Sequence, residues 1–232
     1  MMSLRLFCFP YGGAGASGYR AWARDLPAGV EIVPVNFPGR ETRFREAPYT
    51  HLDPLLAELV RTLDFGGRFA FFGHSLGALV AFELARELRR QRKPAPSLLV
   101  VSGYPAPHLH RDRPHVAHLS HDDFVATLRA HFDVNDELLD DPILAEMALP
   151  VLRADLAIVE TYAYREEPPL DLPLVAFGGV GDPEASEEQI RGWQAQSTRP
   201  VRVRMFPGGH FFVNVQRQAV LDEIALALRS HS

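Results

Sequence analysis

Short apolar runs alternate with helix-like segments along most of this chain. Each run is rich in Val, Leu or Phe and is bounded by Gly or Pro, a pattern typical of buried strands. Strands are predicted at Leu4–Phe9, Val30–Val35, Arg68–Gly73, Ser97–Ser102, Leu172–Gly178 and Val201–Phe206. Helical spacing recurs in Leu52–Leu63, Gly77–Arg92, Glu187–Gln196 and Gln216–Arg229. Strands that alternate with helices predict an α/β fold, in which a mainly parallel sheet is flanked by helices on both faces.

The alternation stops between about residues 105 and 169, where no convincing strand is visible. Pro142 and Pro150 each stand where a helix can begin, which predicts two separate helical pieces in the second half of this segment. A helical insertion after the fourth predicted strand would cover the carboxyl edge of the sheet. We therefore interpret the segment as a lid.

The composition favours one globular enzyme domain over residues 1–232, since 47% of the residues are hydrophobic and 23% are charged. The net charge of -5 argues against a nucleic-acid binder, which would carry a basic surplus. Cys8 is the only cysteine, so no internal disulfide can form. The apolar stretch Leu4 to Pro10 is too short for a signal peptide or a membrane span. We expect a cytoplasmic protein that does not contact membranes.

The segment Gly73-His74-Ser75-Leu76-Gly77 lies directly between a predicted buried strand and a predicted helix. Gly-x-Ser-x-Gly in this context is the nucleophile elbow of α/β-hydrolases. So tight a strand-to-helix turn strains the serine and exposes its hydroxyl at the sheet edge. Ser75 is therefore the candidate nucleophile, although an idle serine in a glycine-lined turn is the alternative.

A serine hydroxyl needs a nearby base, and in this fold the chain order is serine, acid, histidine. His210 follows the last predicted strand and is the preferred base, whereas His231 at the terminus is a weaker rival. Asp182 follows the fifth predicted strand and is the preferred acid, with Glu184 second. The acid would fix the imidazole tautomer and stabilise the imidazolium.

A tetrahedral intermediate also needs two preorganised N–H donors for its oxyanion. The backbone N–H of Leu76, which follows the nucleophile, is the first candidate. The second should come from the glycine-rich loop after the first strand, where we favour Gly12 and place Tyr11 next. A flexible turn is the alternative interpretation of this loop.

With these segments in place, the chain resembles the type II thioesterases of polyketide and nonribosomal peptide biosynthesis, which have the α/β-hydrolase fold. The resemblance extends over nearly the whole chain. It is most specific in three segments outside the serine motif: Pro38-Gly39-Arg40, Arg153-Ala154-Asp155 and Gly208-Gly209-His210-Phe211-Phe212. The matching segments are Cys8-Phe9-Pro10-Tyr11-Gly12-Gly13-Ala14, Phe37-Pro38-Gly39-Arg40, Gly73-His74-Ser75-Leu76-Gly77, Ser102-Gly103-Tyr104-Pro105-Ala106-Pro107-His108, Leu152-Arg153-Ala154-Asp155 and Gly208-Gly209-His210-Phe211-Phe212.

The resemblance implies a discrete editing enzyme of antibiotic biosynthesis. Such an enzyme hydrolyses the thioester between an acyl group and the phosphopantetheine arm of an acyl or peptidyl carrier protein. The carrier protein of a modular synthase is then the expected partner, and no metal or organic cofactor is required beyond the arm that the substrate carries. We expect a monomer with a broad preference for short to medium acyl chains.

Two further groups of side chains could bind a partner or a metal ion, namely a pair of arginines and a series of histidines. Arg40 and Arg43 are candidates for docking an acidic carrier protein. The histidines between positions 108 and 121 are irregularly spaced and have no cysteines beside them, so a solvated loop is favoured over a metal site. These histidines are His108, His110, His115, His118 and His121.

Three alternatives to a discrete editing thioesterase stay open. A small-molecule carboxylesterase or lipase would use the same triad on oxygen esters. A catalytically silent relative would be a binding module, although the complete Ser75, Asp182 and His210 set argues against it. A product-cyclising thioesterase domain would follow a carrier domain, and since the chain starts at Met1 without one, we expect a free-standing protein.

Overall fold

The structure is a computed structural model that describes residues 3–109, 114–131 and 139–230. Its strands are β1 (Leu4–Phe9), β2 (Val30–Pro34), β3 (Phe69–His74), β4 (Leu99–Ser102), β5 (Leu174–Gly179) and β6 (Arg202–Phe206). They form one sheet in the order β2-β1-β3-β4-β5-β6, and every neighbouring pair is parallel. The predicted parallel sheet is therefore confirmed, and each predicted strand overlaps an observed one.

The helices are α1 (Ser17–Arg20), α2 (Leu52–Thr62), α3 (Leu76–Arg90), α4 (His121–His131), α5 (Pro142–Thr161), α6 (Glu187–Arg191), α7 (Phe212–Val215) and α8 (Arg217–Ser230). Short 3-10 turns occupy Ala21–Arg24, Glu41–Arg43 and Gly192–Gln196. The predicted helix at 187–196 is thus α-helical only in its first half. Within the described ranges, no helix is long and apolar enough to cross a membrane.

The sheet is buried on both faces, which explains why its strands have almost continuous apolar sequences. On β3, Phe69 and Phe71 point into the core under α2 and α3, while Ala70 and Phe72 point into the core under α8. Each of these side chains is at most 1% exposed. The strand that leads to Ser75 is therefore held rigidly from both sides.

The direction in which successive strands are added to the sheet reverses at β1, since β2 lies on one side of it and β3 on the other. β1 lies between β2 and β3, with Phe9 opposite Gly73, and the later strands all extend from the far side of β3. In such sheets the crevice at the carboxyl ends of the two strands is the usual ligand site. The reversal brings the glycine-rich loop after β1 beside the turn after β3.

The insertion between β4 and β5 contains α4 and α5. We predicted two helical pieces after Pro142 and Pro150, which is wrong: one 20-residue helix, α5, runs through Pro150. The Asp141 side chain accepts the N–H groups of Ile143 and Leu144, which caps the helix at Pro142. Pro150 removes one internal hydrogen bond, but the buried apolar face on both sides of it keeps the helix continuous.

Helix α5 is tied to the rest of the insertion by polar contacts as well as apolar packing. Arg153 donates to the carbonyl oxygens of Ala117 and Leu119 at 2.7 and 2.6 Å. Glu160 accepts the N–H of Val116 at 2.7 Å. An apolar cluster between α4 and α5 includes Val116, Phe124, Leu128, Leu149 and Leu156.

The chain just after α5 is attached to α3 through Tyr162, which binds a member of a buried ion pair within α3. Arg86 donates to Glu83 at 2.6 Å, and the two side chains are 2% and 7% exposed. The Tyr162 hydroxyl donates to the same Glu83 carboxylate at 2.7 Å. The Tyr162 hydrogen bond anchors the chain just after α5 to the middle of α3.

The start of α3 passes so close to β1 that only glycine fits at position 77. A Cβ added to Gly77 would overlap the carbonyl oxygen of Phe9. On the other side of the turn, a Cβ on Gly73 would overlap the carbonyl oxygen of Gly77. Both obstacles are backbone atoms, which cannot rotate away as a side chain can.

We predict that Gly77→Ala lowers the free energy of unfolding by at least about 2 kcal/mol, because the added methyl group forces β1 and α3 apart. Gly18→Ala is the matched control, since a Cβ there meets nothing within 4 Å. Its unfolding free energy should stay the same or rise by up to about 1 kcal/mol, because alanine favours a helix more than glycine does. Urea unfolding followed by circular dichroism measures both variants, and equal stabilities would contradict the close packing at position 77.

Candidate active site

Ser75 occupies a strained turn between β3 and α3. Its φ of 52° and ψ of -120° lie in a region that residues with a Cβ rarely adopt. The Ser75 N–H donates to the Ser102 carbonyl oxygen at 2.8 Å, and its carbonyl accepts the N–H of Ala78 at 2.9 Å. The strain predicted for this serine is present, and the turn is held from both sides by backbone hydrogen bonds.

Asp182 and His210 meet at the carboxyl edge of the sheet, although 28 residues separate them in the sequence. The Nδ1 of His210 lies 2.9 Å from Oδ2 of Asp182, and the two side chains are 6% and 0% exposed. The other carboxylate oxygen, Oδ1, accepts the N–H of Glu184 at 2.8 Å. An imidazole bound to a carboxylate through Nδ1 keeps Nε2 for a second partner, as a general base requires.

The loops that carry the acid and the base are hydrogen-bonded to each other. The Val180 N–H donates to the Phe206 carbonyl, and the Gly181 N–H donates to the Gly208 carbonyl, each at 2.9 Å. Gly208 has a φ of 118°, which a residue with a Cβ would adopt only under strain. The contact between Asp182 and His210 is therefore set by backbone geometry as well as by the hydrogen bond between their side chains.

Glu184, the second candidate acid, lies on the other side of the imidazole. Its Oε2 is 4.0 Å from Nε2 of His210, compared with 2.9 Å between Asp182 and Nδ1. The shorter contact and the fully buried carboxylate favour Asp182 as the partner of the imidazole. His231, the alternative base, lies outside the described residues.

His74 is a buried neighbour of the site that sequence reasoning missed. It is fully buried, its Nδ1 lies 2.9 Å from the Ser102 hydroxyl, and its ring centroid is 5.2 Å from that of His210. Burial holds the pKa of His74 well below its ordinary value, and the proximity of His210 lowers it further. His74 is therefore neutral and adds no charge beside His210. Its position in the buried strand, directly before Ser75, was the available signal.

The two candidate oxyanion donors border the same turn. Leu76 is the first residue of α3, where helix geometry leaves the N–H without an intrahelical partner. In the loop after β1, the Tyr11 carbonyl accepts the N–H of Ala14 at 3.0 Å, and Gly13 has a φ of 76°. The intervening Gly12 is half-buried. These N–H groups belong to the two loops that the chain reversal brings together.

The Tyr11 side chain joins this loop to the loop that carries His210. Its ring lies 5.1 Å from the Phe211 ring and 5.8 Å from the His74 ring, both nearly edge-on. Its hydroxyl accepts a hydrogen bond from Asn214 at 3.4 Å. Tyr11 is thus placed to pack the two loops together, in addition to its candidate backbone role.

Arg40 does not lie on a docking surface, which contradicts the role that we predicted for it. It is 7% exposed, and its guanidinium binds both oxygens of Asp155 in α5 at 2.7 and 2.8 Å. A charge neutralised inside the protein cannot attract an acidic partner. Arg43 keeps 25% of its side chain exposed but is already paired with Glu46 and Glu58, so its docking role stays a prediction.

The histidines of the insertion do not assemble around a common point in the part of the chain that the structure describes. Nδ1 of His108 lies 2.9 Å from Nε2 of Gln196, and His110 lies outside the described residues. Among the described residues, no three His, Cys, Asp or Glu side chains are placed to hold a metal ion.

Comparison with known proteins identifies the family. The family model described as "Thioesterase domain" matches residues 4–228. The protein named linear gramicidin dehydrogenase LgrE, from Brevibacillus parabrevis, is 38% identical over 231 residues, which are 97% of this chain and 88% of LgrE.

Two solved thioesterases have the same fold as this chain. RedJ, the thioesterase of the prodiginine pathway in Streptomyces coelicolor, superposes with a TM-score of 0.89 at 38% identity, over 97% of this chain and 86% of RedJ. The type II thioesterase BorB, from the borrelidin biosynthetic cluster, superposes with a TM-score of 0.84 at 34% identity, over 98% of this chain and 92% of BorB. The predicted α/β-hydrolase fold is confirmed, and the chain belongs to the thioesterase family.

Proposed function

We propose that this protein is a discrete editing thioesterase, which hydrolyses acyl groups from the phosphopantetheine arm of carrier proteins in polyketide or nonribosomal peptide synthesis. The family match over residues 4–228 and the similarity to RedJ and BorB support this substrate class. The name of LgrE refers to a dehydrogenase, but its similarity to this chain is of the same degree as that of RedJ, a thioesterase. Thioester hydrolysis is therefore the better-supported reaction.

The observation that carries the proposal is the buried contact between Asp182 and His210 beside the strained turn of Ser75. In the proposed first step, the Ser75 hydroxyl attacks the thioester carbonyl while Nε2 of His210 takes its proton. Asp182, which holds Nδ1 at 2.9 Å, fixes the tautomer and stabilises the imidazolium that forms.

The tetrahedral intermediate carries a negative charge on the former carbonyl oxygen. We assign its stabilisation to the backbone N–H groups of Leu76 and Gly12, with Tyr11 as the alternative to Gly12. Donors fixed in the backbone need no rearrangement at the moment of reaction, and each is worth about 10²- to 10³-fold in kcat. Helix α3 adds the positive end of its dipole at the same place.

Collapse of the intermediate breaks the carbon–sulfur bond and leaves the acyl group on Ser75. The departing pantetheine sulfur receives the proton held by His210. A water molecule then gives a proton to His210 and attacks the acyl ester. As the second intermediate collapses, the free acid departs and the Ser75 oxygen takes the proton from His210. The balanced reaction consumes only the thioester and water, so the proposed mechanism calls for no metal or organic cofactor.

We propose that the insertion is a lid, whose helix α5 borders the acyl site. Leu152 of α5 is packed against the loop after β1, because a Cβ added to Gly13 would lie 3.4 Å from Cδ1 of Leu152. We propose that the partner is an acyl or peptidyl carrier protein, met in the cytoplasm. Since Arg40 is buried, the docking surface must use other residues.

Substitution of the triad tests the mechanism. Ser75→Ala should lower kcat by at least about 10³-fold, because the nucleophile is removed while the fold is retained. Asp182→Asn should lower kcat by about 10²- to 10⁴-fold, because the imidazole loses its orienting charge. Glu184→Gln is the matched control and should keep kcat within about threefold. Steady-state hydrolysis of an acyl-pantetheine thioester measures all three.

Two outcomes of this series would contradict the assignment. Unchanged turnover in Ser75→Ala would show that Ser75 is not the nucleophile. A larger loss in Glu184→Gln than in Asp182→Asn would transfer the acid role to Glu184.

A second prediction separates carrier-protein editing from esterase or lipase activity. We expect a higher kcat/KM for butyryl or hexanoyl groups on a holo carrier protein than for the same acyl groups in simple oxygen esters. The carrier and its arm add binding energy that a small ester lacks, and this energy raises kcat/KM.

The control is Ser75→Ala, which should abolish hydrolysis of both substrates. A higher kcat/KM for the oxygen ester would favour the esterase alternative. Tight binding of the acyl group without turnover in the unaltered protein would favour the silent binding module.

A further inference from the structure

The loop that carries the candidate oxyanion donor Gly12 is held by a side chain of the insertion. Asp155, in the middle of α5, accepts the backbone N–H of Gly13 through Oδ2 at 2.8 Å. Its side chain is 2% exposed. Two of the segments most specific to the family resemblance, which contain Arg40 and Asp155, therefore converge on this loop.

Arg40 binds both the Asp155 carboxylate and the backbone of the same loop. Its Nη1 donates to Oδ2 of Asp155 at 2.8 Å and to the carbonyl of Ala14 at 3.0 Å, and its Nη2 donates to Oδ1 of Asp155 at 2.7 Å. The guanidinium lies 5.4 Å from the centre of the Phe37 ring. We call this group of Arg40, Asp155, the Gly13 N–H and the Ala14 carbonyl the clamp.

Hydrogen bonds fix two consecutive peptide planes of the loop, the first through the turn itself and the second through the clamp. The N–H and C=O of one peptide point in opposite directions, so a bond to one group orients the other. The bond from Ala14 N–H to the Tyr11 carbonyl turns the Gly12 N–H away from the interior of the turn. The bond from Gly13 N–H to Asp155 fixes the next peptide. The peptide before Gly12 is thus oriented by the turn, and the peptide after it is oriented by Asp155 of α5.

A purely structural role would not require this arrangement. A buried ion pair contributes little net stability compared with well-packed apolar side chains, because both charges lose their hydration. The clamp nevertheless uses both charges on a glycine-rich loop, where the φ of 76° at Gly13 leaves the peptide orientation dependent on its hydrogen bonds. The bonds therefore fix a backbone that the loop sequence leaves free to rotate.

We propose that Asp155, held by Arg40, is a positioning residue for the oxyanion donor, through which the insertion controls the rate of the chemical step. Asp155 acts through the Gly12–Gly13 backbone and does not touch the reacting atoms. The inference rests on the proposed function only in using a serine acyl transfer, since any ester that reacts at Ser75 needs the same oxyanion donors.

The test compares Asp155→Leu with the double variant Arg40→Met/Asp155→Leu, both of which leave the Gly13 N–H without its side-chain acceptor. The double variant removes both buried charges together, so its thermal midpoint should recover relative to Asp155→Leu, which leaves Arg40 buried without its partner. We expect both variants to lower kcat by about 10- to 100-fold, since a displaced donor loses part of its contribution to the rate. KM should stay within about threefold.

A boronic acid that forms a tetrahedral adduct with Ser75 supplies a second measurement. Its Ki should rise by the same factor as kcat/KM falls, because the adduct uses the same donors as the transition state. The control is Glu83→Leu/Arg86→Met, which removes a buried ion pair within α3, beginning eight residues beyond Ser75. That variant should change the thermal midpoint but keep kcat and Ki within about twofold.

Recovery of both stability and kcat in the Arg40→Met/Asp155→Leu variant would overturn the proposal and leave the clamp a structural ion pair. An unchanged Ki for the boronic acid would also overturn it. Each assay is run in parallel with a p-nitrophenyl ester. If the unaltered protein hydrolyses only that ester, the carrier-thioesterase proposal fails. The positioning role is then decided by the ratios of kcat and Ki between each variant and the unaltered protein, measured with the p-nitrophenyl ester.

Discussion

The strained turn at Ser75 is the constraint on which the rest of the site depends. A serine at a φ of 52° is stable only where the surrounding structure holds it. Here a strand buried on both faces leads into the turn and a buried helix leads out of it. Gly73 and Gly77 allow the backbone of β1 and α3 to close around it. The hydroxyl is thereby fixed at the sheet edge, and every other group is placed relative to it.

The parallel topology then supplies the partners of Ser75 from four separate segments. The loops after β5 and β6 bring Asp182 to His210, and their backbone hydrogen bonds keep the two loops together. The reversal between β1 and β3 brings the glycine-rich loop to the same crevice. The insertion reaches this loop through Asp155, so the part of the chain expected to select the acyl group is bonded to the part expected to stabilise the transition state.

Local sequence signals predicted the sheet, the strained turn at Ser75 and the proximity of Asp182 to His210, but not the other contacts between distant segments. The strands could be recognised because burial on both faces leaves continuous apolar runs, and Ser75 because its motif is contiguous. Charge alone predicts a surface position for Arg40, because the sequence does not reveal that its partner lies 115 residues away. Likewise, Pro150 predicted a helix boundary, whereas tertiary packing of the apolar face of α5 overrides this local preference.

The central claim is that Ser75 performs covalent catalysis on an acyl group carried by a pantetheine arm. A pantetheine-linked alkyl fluorophosphonate tests it directly, since the reagent leaves a stable phosphonate on an activated serine. Peptide mass spectrometry after the reaction should locate one phosphonate per protein, on the peptide that contains Ser75. Modification at any other residue, or none in a preparation that turns over the thioester, would contradict the account.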